Sequence, residues 1–282
     1  MLIAQITDIH LGFEPDSPAE FNRQRLDRTL ERLVALDPLP DLLLATGDLV
    51  DRGDVDSYRR LQEAFAGLPF PVEMCLGNHD DRANFAAVFP ARQYVGGYLQ
   101  YTLAAGPLRL IVLDTLEPGR HGGAFCEARA QWLRAALGAD TTTPTLIVQH
   151  HPPIEVGIAW MNTDPSEPWV HRLAECLTGR DNVIGLVCGH IHRATSCHWQ
   201  GLTVATCPST APQVTLDLRP IDPARPDNRA MIIAEPPAYA LHFWNGREIV
   251  THWDTAQDYP VLARFDANLA PMVGEMLAER PI

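Results

Sequence analysis

The sequence LLLATGDLVD occupies residues 42–51, and the rest of the chain can be interpreted outward from it. Its apolar first half is typical of a β-strand that is buried on both faces, as in a parallel sheet. Gly47 lets the chain turn, and Asp48 is left at the carboxyl end of the strand. Ligands of open α/β sheets bind in the crevice outside such strand ends. One Asp after one Gly is usually only a turn residue, so Asp48 needs support from other strands.

Four further apolar runs end in the same way, each in side chains that can bind a metal. These ends are Asp8-Ile9-His10, Gly77-Asn78-His79-Asp80, His150-His151 and Gly189-His190-Ile191-His192. Side chains two apart on an extended segment point the same way, so each pair of that spacing can reach one ion. Each end alone has an ordinary explanation as a loop or a turn. Five such ends in succession are improbable by chance, and together they predict one site at a sheet edge.

The candidate ligands are carboxylate, amide and imidazole groups, with no cysteine among them. These donors suit Mn, Fe, Zn or Co and argue against a thiolate cluster. About seven candidates are too many for one ion, but they fit two metals that share a bridging ligand. The sequence therefore predicts two divalent or trivalent metal ions, whose identity the ligand types leave open.

The remaining pattern predicts an α/β protein. Amphipathic helices are expected at residues 22–36, 57–65, 127–137 and 169–177. They alternate with the apolar strands, and this alternation with short connections is typical of βαβ units and a parallel sheet. A strand pair is expected at residues 98–103 and 108–113, and short strands with an Asn-Gly turn at 245–246 predict antiparallel pairing after His192. The last residues carry only a weak helical pattern.

Composition limits the class of protein. The chain has 282 residues, 46% of them hydrophobic, which suits one large α/β domain or one domain with an appendage. A net charge of −13 without a basic run argues against long nucleic acid as a partner. No apolar run is long enough for a membrane span, and residues 1–5 are typical of a first strand and not of a signal peptide, so a cytoplasmic protein is expected. The six cysteines lack a C-x-x-C pair, which favours buried free thiols.

The blocks D-x-H, G-D-x-x-D, G-N-H-D, H-H and G-H-x-H, in this order, resemble the calcineurin-like metallophosphoesterase family. The resemblance covers roughly residues 1–200. The H-H-P-P block, the GNHDD sequence at 77–81 and the β-rich tail are most similar to its class III cyclic-nucleotide phosphodiesterase and glycerophosphodiesterase branch. The resemblance implies a four-layer α/β/β/α sandwich with a β-rich C-terminal extension. Residues 1–200 would form the catalytic core, and residues 201–282 would complete the second sheet and carry a cap or an oligomerisation arm.

The resemblance also implies a role for each block. One metal would be held by Asp8, His10, Asp48 and His192. The second metal would be held by Asp48, Asn78, His150 and His190, with Asp48 as the bridge. His79 would contact the phosphate and assist the leaving oxygen, and Asp80 would orient His79. Asp51 and His151 are candidates for substrate contacts or for support of the ligands.

The implied reaction is hydrolysis of a small phosphodiester, either a 3′,5′-cyclic nucleotide or a glycerophosphodiester. Two cations would bind the nonbridging oxygens, generate a bound hydroxide near neutral pH and offset the charge that develops at phosphorus. Phosphomonoester hydrolysis at the same site is the nearest alternative. A non-enzymatic interaction subunit is the alternative from a different class, and the complete set of ligands argues against it.

Three segments are expected to act in specificity or association. The loop at 154–168 and the segment 207–212 would close over the crevice. Within that loop, Trp160 and Met161 would pack a base or an alkyl chain, or else belong to the core or to an interface. The proline-rich segment 220–229 is expected to be an exposed loop or a contact arm, and analogy with the branch implies a homo-oligomer.

Overall fold

The computed structural model describes residues 1–15, 17 and 19–280, so the last two residues of the predicted C-terminal part lie outside the described residues. The helices in this part of the chain are α1 (Phe21–Val34), α2 (Val55–Phe65), α3 (Arg82–Val88), α4 (Glu127–Ala139), α5 (Pro168–Leu177) and α6 (Ala270–Ala278). The strands are β1 (Leu2–Ile6), β2 (Leu42–Thr46), β3 (Val72–Cys75), β4 (Tyr94–Val95), β5 (Tyr98–Leu99), β6 (Tyr101–Ala105), β7 (Leu108–Val112), β8 (Thr145–Val148), β9 (Val183–Cys188), β10 (Thr195–Trp199), β11 (Leu202–Thr206), β12 (Gln213–Val214), β13 (Ile232–Ile233), β14 (Ala238–Trp244) and β15 (Ile249–Thr255).

Two large sheets organise the chain. The first has the strand order β15-β14-β1-β2-β3, and β1, β2 and β3 run parallel. The second has the order β10-β11-β9-β8-β7-β6, in which β7, β8, β9 and β11 run parallel. Strands β14 and β15 extend the first sheet in antiparallel pairing, and β10 and β6 do so at the two edges of the second sheet. Because β1, β2 and β3 are parallel, their carboxyl ends lie at one edge of the first sheet. The carboxyl ends of β8 and β9 likewise lie at one edge of the second sheet.

Buried apolar side chains define four layers. One core cluster joins both sheets, with Leu43 of β2 and Val148 of β8 in the same cluster, and it extends to helices α1, α2 and α3 through Leu26, Tyr58 and Phe85. A second cluster packs helices α4 and α5 against the other face of the second sheet. This arrangement places helices outside two facing sheets, and the predicted α/β/β/α fold class is confirmed.

A buried polar side chain links the two sheets behind the predicted site. The Gln5 amide on β1 donates to Thr46 Oγ1 at 2.7 Å and to the Cys188 carbonyl at 3.0 Å. Its oxygen lies 2.9 Å from His242 Nε2, and His242 Nδ1 lies 2.9 Å from Thr251 Oγ1. Buried polar groups are tolerated when they are hydrogen-bonded, so this network holds the ends of β1, β2 and β9 together.

The last third of the chain contributes to both sheets. Strand β11 joins the second sheet beside β9, whereas β14 and β15 join the first sheet beside β1. Helix α6 buries none of its side chains, which agrees with its weak sequence pattern. Helix α3 was not predicted, because it has seven residues and buries only Phe85. Its one clear signal is Asp81, whose carboxylate accepts a hydrogen bond from the Asn84 N–H at 2.8 Å and caps the helix.

Candidate metal centre and active site

The backbone at the predicted ligands adopts an unusual conformation. The φ angles are 49° at Asp8, 47° at His10, 46° at Asp48, 72° at His190 and 52° at His192. Seven non-glycine residues of the described chain have positive φ, and these five are among them. Residues other than glycine adopt a positive φ at a cost on the order of 1–3 kcal/mol each, and such residues cluster at functional sites. The strand ends are therefore shaped to aim these side chains into the crevice.

One group of ligand atoms comes from β1 and β9. His192 Nε2 lies 3.4 Å from Asp8 Oδ1, and His10 Nε2 lies 3.3 Å from His192 Nε2. The His192 Nδ1 atom donates to the Pro212 carbonyl at 2.9 Å, which leaves Nε2 with its lone pair directed at the group. Three donor atoms of this kind within 4.8 Å of one another can hold one metal ion.

Asp48 lies between this group and a second one. Its Oδ2 atom is 3.7 Å from His10 Nε2 and 3.4 Å from His150 Nε2. Its Oδ1 atom accepts a hydrogen bond from the His79 backbone N–H at 2.8 Å. A carboxylate that faces imidazoles from both sides has the position that a bridging ligand needs.

The second group comes from β8 and β9. His150, His151 and His190 bring one ring nitrogen each within 4.8 Å of the others. His150 Nδ1 donates to the Thr46 carbonyl at 2.8 Å, so its Nε2 atom faces the centre. His151 Nδ1 pairs instead with Thr115 Oγ1 at 2.8 Å, and this residue does not line the cavity in front of the site.

Gly77 leaves room for this packing. A Cβ atom at Gly77 would lie 2.3 Å from Asp48 Oδ1 and 2.7 Å from His150 Nε2. Both distances are shorter than any real carbon contact, so only glycine lets β3 approach the other strand ends this closely.

Several buried polar atoms at this edge have no hydrogen-bond partner among the described residues. They are Asp8 Oδ1, Asn78 Oδ1, His150 Nε2 and His151 Nε2. Leaving a buried polar atom without a partner costs about 1–3 kcal/mol, so such atoms call for an explanation. These atoms belong to the same crevice and are metal-binding donors, and the residues present therefore fit bound metal ions.

The charge states without metal follow from burial and from the neighbouring groups. Burial raises the pKa of Asp8 to about 6, although His150 opposes that shift. Burial would also raise the pKa of Asp48, but His150 outweighs it and holds this pKa well below its ordinary value. Burial lowers the pKa of His190 to about 3 and that of His192 to about 4. Both imidazoles are thus neutral near pH 7, which is the form that binds a metal.

His79 and Asp51 lie beside the first group. His79 Nδ1 donates to the Asp51 carbonyl at 2.8 Å, and His10 Nδ1 lies 3.3 Å from Asp51 Oδ1. Burial would lower the pKa of His79, but the charge of Asp48 and the hydrogen bond to Asp51 raise it. Asp51 therefore holds the His79 ring by its backbone and faces His10 by its side chain.

Asp80 has a different place from the predicted one. Its carboxylate accepts from the backbone N–H groups of Gly77 at 2.8 Å and Leu49 at 3.2 Å, and from the Tyr58 hydroxyl at 2.9 Å. In the described chain, the hydrogen bond to the His79 ring comes from Asp51 and not from Asp80. Asp80 thus ties the turn after β3, which carries His79, to the turn after β2, so any orientation of His79 by Asp80 acts through the backbone and not through the ring.

A cavity of about 640 Å³ opens in front of these strand ends. Its polar half contains His10, Asp48, Asp51, Asn78, His79, His121, His190 and His192. The large apolar side chains of its lining, here called the apolar wall, are Phe13, Phe21, Trp160, Met161, Val214 and Ile232. Trp160 and Met161 were expected as candidates here, and Ala211 and Pro212 of the expected closing segment also line the cavity.

His121 and Phe21 escaped the sequence analysis. The His121 ring centroid lies 6.3 Å from that of His79, on a loop that precedes α4. The sequence signal was a His beside Gly122 and Gly123, which is weak because it follows no strand end directly. Phe21 begins α1 and carried no signal, since an aromatic residue at a helix start is more often a core residue.

Residues 1–194 match the family described as calcineurin-like phosphoesterase. The chain belongs to this family. The matched range contains every predicted metal ligand, from Asp8 to His192. The predicted family and the predicted enzyme class, a phosphoesterase, are confirmed.

Named relatives of this phosphoesterase are similar over most of its length. It is 30% identical to a probable glycerophosphodiester phosphodiesterase GpdQ of Arcobacter nitrofigilis, over 89% of this chain and 92% of the relative. It is also 30% identical to a 3′,5′-cyclic adenosine monophosphate phosphodiesterase CpdA of Pseudomonas aeruginosa, over 76% of this chain and 77% of the relative. These names match the predicted branch of the family.

The fold of the phosphoesterase is similar to that of solved structures. A dimetal phosphatase from Danio rerio superposes with a TM-score of 0.64 at 14% identity, over 92% of this chain and 97% of the other. This likeness shows a shared fold. Of the helices that the structure describes, none combines the length and the apolar character that crossing a membrane requires.

Proposed function

We propose that this phosphoesterase hydrolyses small phosphodiesters with two metal ions at the strand ends. The observation that carries the proposal is Asp48, whose carboxylate faces His10 and His150 between two groups of donor atoms. The proposed ligands of one metal are Asp8, His10, Asp48 and His192, and those of the other are Asp48, Asn78, His150 and His190. When bound, the ions supply positive charge for the phosphoryl oxygens and lower the pKa of water.

The residues of the chain have distinct proposed roles around the phosphate. His79 lines the cavity, and its Nδ1 atom is engaged by the Asp51 carbonyl, which leaves Nε2 to give a proton to the leaving oxygen. Burial would lower the pKa of His79, but the charge of Asp48 and the hydrogen bond to Asp51 raise it, which favours the protonated ring that this role needs. Asp80 acts indirectly, because it fixes the backbone of the turn that carries Asn78 and His79.

Two observations support diesters over monoesters. A monoester carries a second negative charge, and no Lys or Arg is found among the described residues that line the cavity. Asp51 and Glu14 add negative charge to the lining instead. The cavity of about 640 Å³ is also lined by apolar side chains besides the proposed ligands, which gives a second organic substituent surface to contact. Glycerophosphodiesters and cyclic nucleotides, the substrates in the names of the relatives, are the proposed starting candidates.

The proposal is tested by two measurements on one preparation. Metal content is determined by mass spectrometry after loading with Mn²⁺, Fe²⁺, Zn²⁺ or Co²⁺. Turnover of bis(p-nitrophenyl) phosphate is then compared with turnover of p-nitrophenyl phosphate. We expect about two metals per chain and a preference for the diester. A preference for the monoester would assign a phosphatase, and absence of turnover with every metal would support the interaction subunit.

We also propose that the chain self-associates and works in a reducing compartment such as the cytoplasm. The C-terminal segment 259–277 carries the exposed apolar side chains Tyr259, Val261, Leu262, Phe265, Met272, Met276 and Leu277. Apolar surface of this extent is typical of an interface. All six cysteines are free thiols, which supports the reducing compartment. Light scattering of the purified protein measures the oligomeric state, and a monomer at all concentrations would contradict the self-association.

A further inference from the structure

The apolar wall has a feature that metal chemistry does not require. Phe13 is 60% exposed, Phe21 45%, Trp160 41% and Ile232 50%. Single exposed apolar residues are ordinary on protein surfaces, but these four come from four separate segments and line one cavity. An apolar surface that converges beside a catalytic site is typical of a ligand pocket.

The loop that carries Trp160 is held in place. The Asn162 side-chain oxygen accepts from the N–H groups of Val156 and Gly157, each at 2.9 Å. The Thr163 hydroxyl donates to the Pro152 carbonyl at 2.8 Å. Met161 packs on the small buried cluster of Ile158, Ile191 and Val214. Trp160 is thus presented to the cavity by an ordered turn, although its own ring is partly exposed.

Phe21 is held in place by contacts with Arg25 and Glu14. Its ring lies under the Arg25 guanidinium, with 5.3 Å from the guanidinium carbon to the ring centroid. That guanidinium is itself fixed, because it donates to the Thr210 and Ala211 carbonyls at 2.8 Å and 3.0 Å. The Phe21 backbone N–H donates to Glu14 Oε2 at 3.2 Å. Both aromatic side chains therefore project from fixed backbone, which limits the entropy lost when they bind a ligand.

We infer that the apolar wall binds an apolar substituent of the substrate, of aromatic-ring size or larger. The inference rests on the proposed function, because the phosphate of the same molecule would lie at the two groups of proposed metal ligands. The wall offers Phe21 and Trp160 for stacking, whereas beside it only Glu14 and Asn22 add polar side chains to those of the polar half. A substituent with its own phosphate would meet Glu14 and Asp51 without a lining cation among the described residues. The structure thus favours a phosphodiester with one aryl, nucleobase or alkyl group over one with two small polar alcohols.

The test measures binding of an analogue that has only one organic group. Methylphosphonate and phenylphosphonate are titrated into the Mn²⁺-loaded protein by calorimetry. The two compounds share the phosphonate and differ in the apolar group, so the ratio of their dissociation constants reports on the wall. We expect phenylphosphonate to bind at least about tenfold more tightly, with a more negative heat-capacity change, because an aromatic ring is buried.

Variants assign the effect to the wall. Phe21→Ala and Trp160→Ala should each reduce the ratio about threefold or more without loss of methylphosphonate binding. Both side chains are partly exposed, so the variants are expected to fold, and circular dichroism checks this. Phe243→Ala on β14, at an aromatic residue that is 45% exposed like Phe21 and lies outside the cavity lining, is the matched control and should leave the ratio unchanged.

The possible outcomes separate this inference from the proposed function. Equal dissociation constants, or no measurable binding of either phosphonate, would overturn the inference while diester turnover would still support the proposed function. A phenyl preference that persists in both wall variants would also overturn it. A phenyl preference that the variants remove, in a protein without diester turnover, would overturn the proposed function and leave the apolar site standing.

Discussion

The two sides of the cavity are built in opposite ways. The proposed ligands Asp8, Asp48 and His150 are at most 2% exposed and lie just after the ends of parallel strands. Phe13 and Trp160 of the apolar wall are 60% and 41% exposed and lie on loops. The proposed ligands follow the strands of the two large sheets, whereas the apolar wall comes from loops, from the start of α1 and from the short strands β12 and β13. Side chains on such peripheral segments can vary without disturbing the ends of the large sheets.

The two sides also differ in what stabilises them. Several proposed ligands of the polar half are held by hydrogen bonds, such as His150 to the Thr46 carbonyl and His192 to the Pro212 carbonyl. The wall depends mainly on packing, as at Met161 on Ile158 and Val214. Directional bonds tolerate little displacement, but apolar packing tolerates substitution at the surface. Substitutions on the two sides should therefore have effects of very different size.

Asp48→Asn should have the largest effect, because the amide keeps the shape but removes the charge between the two groups. We expect loss of at least one metal per chain and a decrease in kcat/KM on the order of 10³-fold. Metal analysis and steady-state kinetics on bis(p-nitrophenyl) phosphate measure both. Asp222→Asn, on the exposed segment 220–229, is the control. Unchanged metal content in Asp48→Asn would refute a bridging role.

His79→Ala should have the next largest effect on turnover, and the size of this effect should depend on the leaving group. An alkoxide needs a proton, but p-nitrophenolate does not, so an unactivated alkyl diester should lose about 10²-fold in kcat and the nitrophenyl diester only a few-fold. His171→Ala, on the exposed side of α5, is the matched control. Equal losses on both esters would show that His79 has no role as an acid.

The buried network behind the polar half should make the protein sensitive to acid. Burial lowers the pKa of His242 to about 4 from an ordinary value of 6.5. The unfolded chain therefore binds this proton first, so stability is complete above about pH 6.5 and is lost as the pH falls towards 4. The loss amounts to about 3 kcal/mol of unfolding free energy.

His242→Asn removes this titration and should reduce the difference between urea unfolding free energies at pH 7 and pH 4.5. Both proteins are measured with a chelator present, so that metal release does not contribute. The variant has its own cost at pH 7, and only the change with pH is compared. An identical pH dependence in the two proteins would assign the acid sensitivity to other groups.

Phe13→Ala should have the smallest effect of the four variants predicted in this section. The side chain is 60% exposed, so we expect a change in unfolding free energy of less than about 1 kcal/mol. On an aryl diester, KM should rise a few-fold while kcat is unchanged, because the residue contacts no reacting group. A fall in kcat as large as that of His79→Ala would contradict the division of the cavity into two functional sides.

The sequence alone was sufficient to predict the strand ends and the family. Apolar runs that stop at Gly-Asp or Asp-x-His carry the signal locally, since alternation along a strand decides which side chains share a direction. The α/β class follows from the same alternation of strands and helices, and the four-layer arrangement was implied by the resemblance to the family. Asp80 shows the limit of local reasoning, because its neighbour in sequence is His79 but its hydrogen-bond partners include Leu49 and Tyr58.

Only the tertiary structure determined the rest of the cavity. Phe13 and Phe21 lie far from His121 and from Ile232 in the chain, and nothing in their neighbourhoods predicts a shared site. Their proximity depends on how loops fold over the sheet edge, which is a property of long-range packing and not of local pattern. The sequence by itself determined which chemistry this protein can perform, because metal ligands must be particular residue types at particular strand positions. The structure decided what shape of molecule that chemistry can act on, because a binding wall requires only apolar surface in the right place.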